Sequence, residues 1–112
     1  MISQLFTAID AKNVTAFKAF LADDCVFRFG NQSAVYGVDQ IEAYVTGFFA
    51  SIQSLSHQPI DTWSADGVTI SHGLVTYVRH DKSQLTVPFC VVLKLTDAQI
   101  GEYLIFADVS AL

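Results

Sequence analysis

The chain has 112 residues, of which 52% are hydrophobic and only 15% are charged, and it includes nine Phe and four Tyr residues. This composition excludes a disordered protein, and the length predicts one domain, residues 1–112, with a single core. The formal net charge of −5 and the absence of a Lys/Arg cluster argue against nucleic-acid binding. No apolar run reaches the about 18 residues of a membrane-spanning helix, so we expect a cytoplasmic protein with no membrane contact.

The first half of the chain predicts helices. Residues 2–11 and 14–21 each repeat apolar side chains at helical spacing. Cys25–Phe29 then alternates as a strand, and residues 39–52 carry the broad apolar stripe of a third helix. This third helix must be largely covered by other parts of the molecule.

The second half predicts strands. Ser56–Ser64 contains Pro59, which cannot donate to a sheet ladder and therefore indicates an edge or bulged strand. Three apolar, β-rich runs follow, separated by short turns: Val68–His80, Gln84–Thr96 and Gln99–Val109. Helices first and antiparallel strands last predict an α+β fold, in which a curved antiparallel sheet wraps round the N-terminal helices and leaves a concave apolar pocket.

The low charge content leaves apolar area on the surface, so we predict a homodimer through the outer face of the sheet. Cys25 and Cys90 form no CxxC motif and are interpreted as two buried, reduced thiols. No His/Cys cluster has zinc-site spacing, and phosphate-binding loops and nucleophile elbows are missing. We therefore expect neither a metal nor a cofactor.

Four segments carry a family resemblance: Phe20–Phe27, Val35–Ile41, Val87–Phe89 and Tyr103–Leu112. The chain resembles SnoaL-like members of the nuclear transport factor 2-like superfamily over essentially its whole length. The resemblance implies a cone-shaped barrel, often dimeric, with a deep pocket for a small apolar or aromatic molecule. Relatives include steroid isomerases, polyketide cyclases, epoxide hydrolases, dehydratases and proteins with no known activity, so the fold alone does not name a reaction.

The steroid-isomerase-like relatives use a general-base Asp on the first strand, a Tyr on the first helix and a protonated Asp on a late strand. The corresponding positions here are Phe29, Leu5, and Cys90 or Val91. A proton shuttle needs a base at the reacting carbon and donors at the developing oxyanion. All three roles are empty, which disfavours that isomerase mechanism.

The epoxide-hydrolase-like relatives have an Arg-x-Asp pair where this chain has Val75 and Tyr77, and an Asp at the end of the last strand, which matches Asp108. Only Asp108 is retained, although the Tyr77 hydroxyl can still donate one hydrogen bond. Polyketide-cyclase-like relatives also use an acid near the end of the sheet. Asp108 is therefore the predicted catalytic residue that several of these activities would share.

Two interpretations of Asp108 are open. The period of two places it on one strand face with Glu102 and Phe106. If that face looks into the cone, desolvation raises the pKa of Asp108 and suits it to acid/base work. Alternatively, Asp108 caps the strand end by accepting backbone N–H groups, or pairs with Arg28 or Arg79.

His57 is the second predicted catalytic residue, because an imidazole titrates near neutral pH and can form an acid/base pair with Asp108. Strand periodicity groups His57 with Asp61 and Trp63 on one face.

Tyr77 and Arg79 share another strand face. Tyr77 is predicted to line the pocket, and Arg79 to bind a ligand carboxylate, hold Asp108 or remain solvated. Aromatic side chains either line the cavity or fill the core. The aromatic residues in question are Phe27, Phe29, Tyr44, Phe48, Trp63, Phe89 and Phe106.

Two hypotheses of function follow. In the first, the chain is a SnoaL-like small-molecule protein that performs cofactor-independent acid/base chemistry of the isomerase, cyclase or hydrolase kind. In the second, it is a non-catalytic ligand-binding or dimerisation module that keeps the cone without the catalytic groups.

Overall fold

The computed structural model describes residues 1–112, and the predicted α+β fold is confirmed. The elements follow in the order α1 (Ile2–Asp10), α2 (Val14–Lys18), β1 (Leu21–Phe29), β2 (Val35–Tyr36), α3 (Val38–Ala50), β3 (Ser54–Ala65), β4 (Val68–Val78), β5 (Gln84–Thr96) and β6 (Gln99–Phe106). Strand β1 begins at Leu21 rather than Cys25, and β6 ends at Phe106. Asp108 therefore lies beyond the last strand.

The six strands form one sheet in the order β2-β1-β6-β5-β4-β3. Strands β1 and β6 pair in parallel, and all other neighbours pair antiparallel. Apolar side chains from all three helices meet those of the inner sheet face in a single core. None of the helices combines the length and apolar character needed to cross a membrane.

A β-bulge divides β3 into two parts. Pro59 pairs with Gly73 and Asp61 with His72, which leaves Ile60 without a partner on β4. A Cβ atom at Gly73 would lie 2.1 Å from the carbonyl oxygen of Gln58, so only glycine fits opposite the bulge. Because side chains alternate between faces, one inserted residue reverses the face of every residue that follows.

Two hairpin turns use the left-handed backbone region. The β3–β4 turn has Asp66 at φ 53° and Gly67 at φ 76°, and the β5–β6 turn has Asp97 at φ 51° and Ala98 at φ 67°. Two consecutive residues of positive φ are typical of the type I′ turn, whose twist matches that of the flanking strands. Glycine accepts this conformation without strain, whereas Ala98 does not.

Candidate functional site

A cavity lies between the inner face of the sheet and the three helices. Of its 16 lining residues, 15 are hydrophobic, and its volume is about 50 Å³. The lining residues are Ile9, Phe17, Phe27, Phe29, Tyr44, Val45, Phe48, Phe49, Leu55, His57, Val75, Tyr77, Phe89, Val91, Tyr103 and Ile105. The cavity is thus an apolar, largely aromatic chamber with a single non-hydrophobic residue, His57.

His57 is held in place by Asp10, the last residue of α1. The Asp10 Oδ1 atom lies 2.6 Å from Nδ1 of His57, and the other carboxylate oxygen accepts the backbone N–H of His57 at 2.9 Å. The imidazole stacks on Phe6 with ring centroids 4.3 Å apart and meets the edge of Phe89 at 5.2 Å. A carboxylate at Nδ1 selects the tautomer with the proton there, which leaves Nε2 free to accept a proton.

The Nε2 atom of His57 forms no hydrogen bond within the protein. Because every buried side-chain nitrogen and oxygen has a hydrogen-bond partner, this atom must be accessible. His57 is also a lining residue of the cavity. The arrangement is a carboxylate–imidazole pair at the wall of an apolar chamber.

Tyr77 and Tyr103 line the same cavity. Neither hydroxyl makes a hydrogen bond within the protein, and since no buried polar side-chain atom is unsatisfied, both hydroxyls must touch open space. Burial, followed by the charge of Asp10, raises the pKa of Tyr77 to about 12, and burial likewise raises the pKa of Tyr103. Both groups therefore stay protonated at neutral pH and can donate hydrogen bonds to a ligand oxygen.

Tyr44 contributes a third hydroxyl to the lining, in a more exposed position. It donates a hydrogen bond to Oε1 of Gln32 at 2.7 Å. Partial burial raises its pKa. Because its proton is already engaged, Tyr44 is less available to a ligand than Tyr77 or Tyr103.

The family model for the SnoaL-like domain matches residues 2–103. The chain belongs to the SnoaL-like domain family. Strongly similar solved structures share this fold but little sequence. No protein of curated function matches this SnoaL-like domain in sequence.

Three solved structures illustrate the likeness. An LEH-like epoxide hydrolase from M. tuberculosis superposes with a TM-score of 0.84 at 13% identity, over 96% of this chain and 80% of that chain. An NTF2-like protein of unknown function from Burkholderia pseudomallei gives a TM-score of 0.89 at 13% identity, over 98% and 89% of the chains. TerC, co-crystallised with polyporic acid, gives 0.84 at 10% identity, over 98% and 90%. Identities this low establish the fold alone.

Seven of the predicted residues come together at the cavity of this SnoaL-like domain. They are Phe27, Phe29, Tyr44, Phe48, His57, Tyr77 and Phe89. Four others, Trp63, Arg79, Phe106 and Asp108, do not line it. The side chains of the first set converge because those on the strands occupy the inner sheet face, and Tyr44 and Phe48 lie on the face of α3 that packs against it.

Trp63 lies on the outer face of the sheet, so its predicted place in the pocket is wrong. The bulge at Ile60 reverses the alternation after His57, which turns Asp61 and Trp63 outward. Trp63 is 56% exposed and stacks on His72, with ring centroids 5.6 Å apart. Nε2 of His72 lies 3.4 Å from the Asp61 carboxylate. The predicted grouping of His57 with Asp61 and Trp63 on one strand face is wrong, because the bulge between Pro59 and Asp61 interrupts the alternation of side chains.

Phe106 lies on the outer face of β6, and Asp108 follows beyond the end of that strand. Phe106 is 57% exposed, whereas Tyr103 and Ile105 point inward. Asp108 is exposed, and its Oδ1 accepts the backbone N–H of Ser110 at 3.0 Å. Hydrogen bonds from Ser110 lower the pKa of Asp108, so the first of the two interpretations, a desolvated Asp108 with a raised pKa, is wrong. The alternative, capping of backbone N–H groups at the strand end, describes its environment.

Arg79 forms a hydrogen bond with the C-terminal segment. Its Nη2 donates to the carbonyl oxygen of Ala111 at 2.7 Å, and its Nη1 to the Ser83 hydroxyl at 3.1 Å. It forms no ion pair with Asp108 and lies outside the cavity lining. The predicted contact with a ligand carboxylate is therefore without a structural basis.

Asp10 and Tyr103 are the site residues that sequence reasoning missed. Asp10 meets His57 across 47 positions of sequence, and no local pattern predicts such a contact. Tyr103 was detectable from strand periodicity, because it shares one strand face with Ile105, opposite to the face of Phe106.

Within the structure, no three His, Cys, Asp or Glu side chains group closely enough to hold a metal ion.

Proposed function

We propose that this SnoaL-like domain binds a small, largely apolar molecule in the cavity and catalyses a cofactor-independent proton transfer on it. One observation carries the proposal: the 2.6 Å contact between Asp10 and His57, which engages Nδ1 and leaves Nε2 without a protein partner on a residue that lines the apolar cavity. A carboxylate–imidazole pair is a common general base in enzymes. The adjacent aromatic wall suits an apolar or aromatic ligand.

The chemistry divides between two sides of the ligand. Nε2 of His57 removes a proton from a carbon next to a carbonyl group, and Asp10 stabilises the resulting imidazolium. The electron pair moves to the carbonyl oxygen, where the hydroxyls of Tyr77 and Tyr103 donate hydrogen bonds to the developing charge. Few polar groups compete in this lining, so each hydrogen bond is stronger than it would be in water.

The similar structures support a small-molecule ligand. One is named an epoxide hydrolase and another was crystallised with polyporic acid. Catalysis through Asp108 has less support, because that carboxylate is exposed and bonded to Ser110. The acid/base role is therefore proposed for His57 with Asp10 in place of Asp108.

A non-catalytic binding module is the second candidate, and the cavity volume favours it. The volume of about 50 Å³ is below the roughly 150 Å³ of an engineered apolar cavity that binds benzene. It is well below the roughly 300–1,000 Å³ of typical ligand pockets. A ligand larger than a few heavy atoms would require movement of wall side chains such as Phe48.

We also propose a homodimer through the outer sheet face. No helix covers this face, and it carries the exposed side chains of Trp63, Leu74 and Phe106. Such a patch on a chain of low charge favours self-association. Light scattering at micromolar concentration tests it: a dimeric mass is expected, and a monomeric mass would remove the proposal.

The catalytic proposal is tested by hydrogen–deuterium exchange at the α-carbon of 2-butanone in D2O, followed by NMR. We expect the wild-type protein to accelerate exchange and His57→Gln to lose about two orders of magnitude of that acceleration. The matched control is His72→Gln, which alters a histidine on the outer face and should leave exchange unchanged. Binding without exchange, in the wild type, would favour the non-catalytic module.

A further inference from the structure

The charges around the cavity are unbalanced. Its lining contains no Lys, Arg, Asp or Glu, and the carboxylate bonded to the lining residue His57 is that of Asp10. Two cations lie on neighbouring segments but are directed elsewhere. Lys12 donates to the carbonyl oxygens of Ile52 and Gln53, and Arg79 donates to Ala111. With neutral His57, the site therefore carries one negative charge and no positive charge in its wall.

The negative charge of Asp10 is felt where a ligand would sit. After burial, it is the second cause of the raised pKa of Tyr77. It also adds to the raised pKa of Tyr103, after burial and the effects of Tyr77 and Cys25. A field that opposes the ionisation of these hydroxyls also opposes any other anion placed beside them. The two hydroxyls nevertheless offer protons, which a neutral carbonyl or hydroxyl oxygen accepts without adding charge.

We propose that Asp10 sets the charge selectivity of the cavity, which admits small uncharged compounds carrying a carbonyl or hydroxyl oxygen and rejects carboxylates. Only the placement of the ligand in the cavity rests on the proposed function. A carboxylate entering this chamber would lose its hydration and find no cation to replace it. Asp10 is thus a specificity-determining residue in addition to its role in orienting His57.

The same charge arrangement favours a negative oxygen at one stage only. When Nε2 of His57 takes a proton from the α-carbon of a ketone, the Asp10–His57 pair becomes neutral overall. The electron pair released at carbon moves to the ketone oxygen, next to Tyr77 and Tyr103. The site therefore disfavours an anion before proton transfer and accepts one after it, which is the differential binding that accelerates a reaction.

The test compares two probes of nearly equal shape, 2-butanone and propionate, by NMR titration of the cavity-lining residues. We expect the wild-type protein to bind 2-butanone about tenfold more tightly than propionate. Asp10→Asn keeps an oxygen for Nδ1 of His57 but removes the charge. The variant should bind propionate about tenfold more tightly than the wild type does, and its affinity for 2-butanone should stay within about twofold of the wild-type value.

The matched control is Asp61→Asn, which removes one charge from the Asp61–His72 pair on the outer face. It should leave both affinities unchanged, because that pair lies outside the cavity. Equal wild-type affinities for the two probes, or an Asp10→Asn variant with unchanged preference, would overturn the proposal. If Asp10→Asn does not fold, wild-type titrations with propionate and n-propylammonium decide: propionate must bind more weakly than both the ammonium and 2-butanone.

The outcome is separable from that of the proposed catalysis. Charge-selective binding without α-carbon exchange would support the proposed charge selectivity and contradict the proposed catalysis. Exchange at the α-carbon of 2-butanone, together with equal affinities for 2-butanone and propionate, would support the proposed catalysis and contradict the proposed charge selectivity. Failure of every probe to shift the cavity resonances would reject both.

Discussion

Asp10 binds His57 twice, through the imidazole Nδ1 at 2.6 Å and the backbone N–H at 2.9 Å. The pair joins the end of α1 to the edge strand β3. The His57 side chain is 11% exposed and that of Asp10 is 27% exposed, so water competes only partly for these contacts. One carboxylate therefore fixes both the strand edge and the ring that borders the cavity.

Asp10→Ala is expected to lower the free energy of unfolding by about 1–3 kcal/mol, because it leaves two donors of His57 without a partner. Urea unfolding measures the change. Asp61→Ala breaks the more exposed contact to His72 and should cost less than about 0.5 kcal/mol. Equal losses in the two variants would contradict a structural role for the Asp10 pair.

His57→Gln is expected to remain folded and to lose about a hundredfold of the ketone exchange rate. The amide of Gln can still reach Asp10 but cannot take up a proton near neutral pH. Circular dichroism checks the fold, and NMR measures the exchange. Unaltered exchange in this variant would move the base to another residue.

Tyr103→Phe is expected to separate stability from function. Its hydroxyl makes no hydrogen bond in the protein, so its removal should change the free energy of unfolding by less than about 1 kcal/mol, in either direction. The exchange rate should fall about tenfold, because one donor to the developing oxyanion is lost. Tyr44→Phe, whose hydroxyl is engaged by Gln32, should affect exchange less. A strongly destabilised Tyr103→Phe with normal exchange would assign that hydroxyl to the fold.

Ala98→Gly is expected to stabilise the protein by about 1 kcal/mol, because Ala98 occupies a left-handed conformation that glycine adopts without strain. The equivalent turn position in the β3–β4 hairpin already holds Gly67. Gly67→Ala should therefore destabilise by a similar amount, about 1 kcal/mol. Thermal unfolding of both variants, with shifts of opposite sign, is the check.

Asp108→Asn is expected to change the exchange rate by less than about twofold, because Asp108 lies outside the cavity. Its pKa is lowered in the folded protein by Ser110, so its charge favours the fold above the unfolded-state value of about 4. That contribution is lost as the pH falls through the folded-state pKa. The difference in melting temperature between wild type and variant should accordingly shrink in acid. Loss of exchange with an unchanged melting temperature would instead restore Asp108 as a catalytic residue.

The fold was predictable because its signals are local. Apolar periodicity located all three helices, and the short turns between the apolar runs marked the hairpins. The parallel pairing of β1 with β6 had no such signal, since it joins distant segments. The second helix, expected over residues 14–21, ends already at Lys18, because Leu21 begins β1.

The site was predictable only where strand alternation holds. Phe29 and Tyr77 occupy uninterrupted strand segments, and both line the cavity. Trp63 was misplaced because a single bulged residue, Ile60, reverses the faces after His57. Asp10 could not be found at all, because its contact depends on how α1 packs against the edge strand.

The bulge at Ile60 also gives one strand two independent tasks. Residues before it supply His57 to the interior chamber, and residues after it supply Trp63 to the outside surface. Substitutions at Trp63 can therefore change the contacts of the outer sheet face without altering the cavity lining. Deleting Ile60 would leave Asp61 and Trp63 on the outer face, because Pro59 and Asp61 would then be consecutive and pair with the consecutive residues Gly73 and His72. The deletion would remove only the local bend that the extra residue imposes on β3.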